Sequence, residues 1–139
     1  MTAAAAATAA EFVYAASMDR GEFENLVREA LDDLPEEFAQ HLDNVAVVVE
    51  DEPDAALLRA LGLHPRRDTL FGLYQGVPLP HRGAAYGNVL PDKISIYYRP
   101  LLRACRTPER IRRQVRTTVI HEIAHYFGMD DSAIRDLGY

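Results

Sequence analysis

The run His121-Glu122-Ile123-Ala124-His125 constrains this chain more than any other stretch, because its spacing has a use only on a helix. Residues four apart lie one turn up the same helical face. The two imidazoles therefore point the same way and can grip one metal ion. Glu122 sits about a third of a turn round, within reach of a water on that metal without being a ligand itself. This is the arrangement that makes a hydrolytic zinc site. The competing reading is a surface helix with two solvated histidines. Val115, Val119, Ile120, Ile123, Ala124, Tyr126 and Phe127 argue against it, since they spread apolar side chains nearly all round the helix and so predict a buried one. Between Arg116 and Asp130 the only Asp, Glu, Lys or Arg is Glu122. A buried carboxylate without a basic neighbour is costly unless something compensates it, and a metal-bound water beside it would.

Two histidines do not complete a catalytic zinc site, which usually has three protein ligands and a water. One branch of such motifs places its third ligand six residues after the second histidine. Here that position is Asp131, and the string becomes H-E-x-x-H-x-x-G-x-x-D. Gly128 is expected to end the helix in a left-handed conformation and swing the chain back under the metal. Carboxylate oxygen is a normal zinc donor. Aspartate is also a preferred helix N-cap, and Asp130-Asp131-Ser132 opens a short final helix over 132–137, so one aspartate can cap while the other binds. Asp131 is favoured as ligand over Asp130, Asp136, His81 and His64. His41, His64 and His81 read as ordinary loop or surface histidines.

The 139 residues suffice for one domain with a real core, and 48% hydrophobic residues make it globular rather than disordered. No apolar run is long enough for a membrane span. Cys105 is the only cysteine, which excludes an internal disulfide and fits a reducing, cytoplasmic compartment. Charge is unevenly divided. Residues 1–54 carry fourteen acids and two bases, whereas 55–139 carry thirteen bases and seven acids. The cluster Arg99, Arg103, Arg106, Arg110, Arg112, Arg113 and Arg116 raises the question of nucleic acid. With no interleaved aromatics or known binding motif, a basic patch that faces the acidic first helix, or is simply solvated, is the better explanation. Residues 1–17 are alanine-rich with a single charge, Glu11, and lack the basic start and apolar middle of a secretory signal. They are read as an extension outside the fold, with one domain over 18–139.

Along that domain, helical spacing marks 19–34, and 36–42 can continue helically after Pro35. The run Val45-Ala46-Val47-Val48-Val49 reads as a buried strand. A short helix follows over 55–61, closed by Gly62, then a strand over 69–74. A hairpin is expected from 84–90 and 94–98 around a turn at Pro91-Asp92-Lys93, with Pro100 stopping the second strand. Thr107-Pro108-Glu109 starts the metal helix, with Thr107 as cap and Pro108 at its first position. The order predicts an α+β domain, a small mixed sheet packed on helices.

With these stretches in view, the chain resembles the small bacterial zincin-like metallopeptidase family. The resemblance rests on LPEEF (34–38), NVAVVVEDEP (44–53), GLYQGVPL (72–79), LPDKISIYY (90–98), TVIHEIAHYFGMDD (118–131) and the closing Leu137-Gly138-Tyr139, and covers residue 19 onward. It implies a minimal zincin fold in which His121, His125 and Asp131 bind one Zn2+ and Glu122 is the catalytic glutamate. Only eight residues follow Asp131, so the subdomain that larger zincins place beneath the metal helix is not expected here, and Met129 is not expected to be their methionine turn.

The expectation is a zinc metallopeptidase acting on peptide or protein substrates as a monomer or weak oligomer, with metal-activated water and Glu122 as general base. Tyr86, Tyr97, Tyr126 and Tyr139 are candidates for stabilising the oxyanion. Residues 84–89 are expected to offer a sheet edge to an extended peptide, with Gly83 and Gly87 allowing close approach. Two alternatives stand beside this: a zinc-stabilised binding or regulatory domain without protease activity, and a metal-dependent nuclease.

Overall fold

The computed structural model of the chain describes residues 18–78 and 92–138. In order these form α1 (Arg20–Asp32), α2 (Glu36–Ala39), β1 (Val45–Glu50), α3 (Ala55–Ala60), β2 (Gly72–Gln75), β3 (Asp92–Tyr97), α4 (Tyr98–Ala104), α5 (Pro108–Tyr126) and α6 (Asp131–Asp136). The architecture is α+β, with a three-stranded mixed sheet and helices among the described residues, as the residue pattern predicts.

Strand order is β1-β3-β2, with β1 parallel and β2 antiparallel to β3. Val47 stands opposite Ile94 and Val49 opposite Ile96, so one face of the sheet is aliphatic. That face packs with Phe23, Val27 and Ala30 of α1 and Ile111, Val115, Val119 and Ile123 of α5 into one buried cluster. Each helix supplies residues three or four apart, the stripe that a helix can bury. Their outer flanks carry ion pairs, Arg112 to Glu29 at 3.1 Å and Arg116 to Asp33 at 4.0 Å. The basic helix therefore does face the acidic first helix.

Local signals account for the helix starts. Asp19 accepts the Glu22 N–H, Asp54 the Leu57 N–H and Thr107 the Arg110 N–H, each satisfying a donor with no partner inside its helix. Pro108 follows Thr107 at the first helical position, where a missing N–H costs nothing.

Several expectations need correcting. β1 is half-buried rather than buried, with Ala46 exposed, because only one of its faces meets the core. β2 begins at Gly72, not at residue 69. Asp92 is the first residue of β3 rather than a turn residue, and its N–H reaches the Asn44 carbonyl at 3.0 Å. Pro100 ends no strand. It lies in the first turn of α4, where again no N–H is needed, and the helix follows β3 directly. The first arm of the expected hairpin and residues 1–17 lie outside the described residues. Among the described residues, no helix is long and apolar enough to cross a membrane.

Candidate metal centre

The site is built at the C-terminal end of α5 and the turn that follows it. Val119, Ile123 and Tyr126 hold the helix in the core, which leaves His121 and His125 on the flank facing β2 and the final turn. Both imidazoles are partly open, with side chains 32% and 30% exposed, and their ring centroids are 4.7 Å apart.

The turn brings in the third group. Met129 N–H reaches back to the Ala124 carbonyl at 3.0 Å and Gly128 N–H to that of His125 at 2.9 Å, the bond pair of a Schellman helix ending. Gly128 has φ +86°, where a Cβ would clash. The chain reverses, and Asp130 caps α6 by accepting the Ala133 N–H at 2.8 Å. Asp131 then places Oδ1 3.3 Å from Nε2 of His121 and 3.3 Å from Nε2 of His125. Of the two neighbouring aspartates, one caps and the other meets the histidines.

These distances fit a metal. A tetrahedral ion with ligand bonds of about 2.0–2.1 Å has ligand-to-ligand edges of about 3.4 Å. Two imidazole nitrogens and one carboxylate oxygen are also a donor set that suits zinc. His125 Nδ1 lies 3.1 Å from the Met129 carbonyl. That acceptor holds the proton on Nδ1 and leaves the Nε2 lone pair for a cation. The same turn thus positions Asp131 and sets the tautomer of His125.

Glu122 lies close by, with one donor atom each from His121, Glu122 and His125 all within 4.8 Å of one another. Two carboxylates could therefore compete as third ligand. Asp131 is the better placed, being equidistant from both nitrogens, whereas Glu122 Oε1 already accepts the Tyr74 backbone N–H at 3.0 Å. Glu122 is only 7% exposed. Burial pushes its carboxyl above the ordinary carboxylate range, while the two imidazoles and the Tyr74 amide pull the other way. A cleft of about 530 Å³ opens over these groups, walled by β2, Leu70, Pro78 and Met129.

The remaining candidates fall elsewhere. His64 turns its Nδ1 to the Arg66 N–H in the loop after α3, and Asp136 ends α6. His41 packs edge-on against Phe127, and its carbonyl accepts the Tyr126 hydroxyl. Tyr97 is 1% exposed within β3. Neither Tyr97 nor Tyr126 is among the described residues that line the cleft. His81, Tyr86, Tyr139 and the 84–89 edge lie outside the described residues. Sequence reasoning missed Tyr74, because its contribution is a main-chain N–H that any residue but proline could make. A signal did exist in Gly72. Glycine inside a strand marks close backbone approach, and a Cβ there would stand 2.7 Å from Thr118 Cγ2 and 3.2 Å from Glu122 Cγ.

Comparison with known proteins adds two findings. The family model of the zincin-like metallopeptidases matches residues 42–139. A solved structure, a conserved hypothetical protein from Thermo thermophilus, is similar with a TM-score of 0.54 and 24% identity, over 79% of this chain and 94% of that one. At that identity the likeness speaks for the fold. No curated protein matches the chain.

Proposed function

The chain belongs to the zincin-like metallopeptidase family, and from that membership we propose that it is a zinc-dependent peptidase whose ion is held by His121, His125 and Asp131 and whose general base is Glu122. The observation that carries this reading is Asp131 Oδ1 at 3.3 Å from both imidazole Nε2 atoms.

When bound, a zinc ion would lower the pKa of a water to near 7 and polarise the scissile carbonyl. Glu122 takes the proton from the attacking water and passes it to the leaving amine as the C–N bond breaks. Its Oε1 is engaged by the Tyr74 amide, so Oε2 is the oxygen free to carry that proton. The two histidines would hold the ion through Nε2, and the Met129 carbonyl keeps His125 in the tautomer that this requires. β2 has no strand on its outer side among the described residues and walls the cleft, which suits pairing with an extended peptide. The reading extends to one domain over 18–139 acting in the cytoplasm.

The test combines metal analysis of protein purified without added metal with a peptide-library cleavage screen of wild type and Glu122→Gln. The expected result is about one zinc per chain in both proteins, and cleavage lost in the variant by at least a hundredfold. Retained cleavage would remove Glu122 from the mechanism. A site closed by a fourth protein ligand would favour the zinc-stabilised binding-domain alternative, and a metal-free protein would count against both readings.

A further inference from the structure

We propose that Asp92 is a positioning residue for Glu122, acting through Tyr74. The proposal rests on the reading of Glu122 as the proton-transfer group. Asp92 opens β3 and is 2% exposed, although it lies outside the metal site. A carboxylate buried to that degree needs donors, and the Tyr74 hydroxyl donates to its Oδ2. The backbone N–H of the same Tyr74 donates to Glu122 Oε1 at 3.0 Å. One residue of β2 thus ties together two buried carboxylates, one through its side chain and one through its main chain.

The surroundings hold Tyr74 to both bonds. It stands opposite Ile94 in the β2–β3 ladder, and its ring lies edge-on to Tyr126 at 5.9 Å. Gly72 and Gly76 bracket it. A Cβ on Gly72 would crowd Thr118 and Glu122, and one on Gly76 would run into the Asp92 carboxylate. Each glycine lets the strand backbone close onto one of the two acids. With the phenol anchored on Asp92, β2 cannot roll about its own axis, and the Tyr74 amide stays aimed at Glu122. That keeps Oε1 occupied and presents Oε2 in one orientation. Without the anchor the carboxylate samples several rotamers, and the fraction in the working geometry falls.

The test is amide hydrogen exchange by NMR on zinc-loaded protein, comparing wild type with Tyr74→Phe and Asp92→Asn. The amide of residue 74 is expected to be protected in wild type and to exchange at least tenfold faster in both variants. Neighbouring amides at Leu73 and Gln75, and zinc affinity, should stay within threefold. On a cleaved peptide kcat should fall about tenfold with KM within threefold. A merely structural role would loosen β2 and β3 together, and that pattern would overturn the proposal. So would an unprotected amide at Tyr74 in wild type, a measurement that needs no variant to fold. Unchanged exchange at residue 74 in either folded variant would overturn it as well. A wild-type protein that cleaves no peptide would sink the peptidase reading alone, since the exchange data decide the clamp without turnover.

Discussion

Asp130 and Asp131 are adjacent and chemically identical, yet the backbone assigns them different work. Asp130 has its carboxylate on the Ala133 N–H, and Asp131 has its own on the imidazoles. Asp131→Ala is therefore expected to weaken zinc binding at least tenfold. Asp130→Ala should lose a helix cap at about 1 kcal/mol and change zinc affinity only a few-fold. Chelator-competition titration and thermal unfolding of both variants measure the pair, and a reversed pattern would exchange the two roles. At this scale the sequence was most informative where chemistry depends on local spacing. The four-residue step between His121 and His125 needs only helical periodicity to be read. Tyr74 was illegible because it reaches Glu122 through a main-chain N–H from 48 residues away. Tyr97 and Tyr126 were equally beyond reach, since which tyrosines face the cleft depends on tertiary packing.

The elements were legible in proportion to the strength of their punctuation. Thr107-Pro108 marks the start of α5 to the residue, because capping is decided within one turn. α4 was missed because Pro100 reads as a breaker, although a proline three residues into a helix gives up no bond. β2 was placed three residues early, as Thr69 and Leu70 fit a strand by type while the ladder to β3 begins only at Gly72. Two substitutions at opposite ends of α5 should separate holding the helix from aiming its ligands. Thr107→Ala is expected to cost about 1 kcal/mol of stability with zinc affinity unchanged. Gly128→Ala, at φ +86°, should cost about 1–2 kcal/mol and also weaken zinc binding several-fold, because the strained turn no longer carries Asp131 to the imidazoles. Denaturant unfolding with metal titration checks both, and intact zinc affinity in Gly128→Ala would show that the turn tolerates a side chain.

Across the molecule the uneven charge of the sequence resolves into pairs between its early and late parts, Arg103 with Glu52, Arg112 with Glu29 and Arg116 with Asp33. All are at least about half exposed, so each contributes little. Raising salt from about 0.1 to about 0.5 M should shift the melting temperature by no more than about 2 °C, as calorimetry can record. Zinc should matter more. At a hundredfold excess over its dissociation constant a bound ion adds about 2.7 kcal/mol, so chelation should lower the melting temperature by about 5–10 °C. A melting curve indifferent to chelator would mean that the folded site binds no ion. The α+β class was readable from element order alone. The strand order was not, because pairing between distant segments leaves no mark in either one.

The proposed ligands all lie within residues 121–131, on one helix end and the bend after it, while the hydrogen bond to the proposed base, Glu122, arrives from a separate strand. On that proposal, capture of the ion and readiness for chemistry belong to different parts of the chain. Partial melting that peels β2 from the sheet would leave a molecule still carrying its cation and no longer able to use it. Metal content would then count folded helix ends rather than competent enzyme.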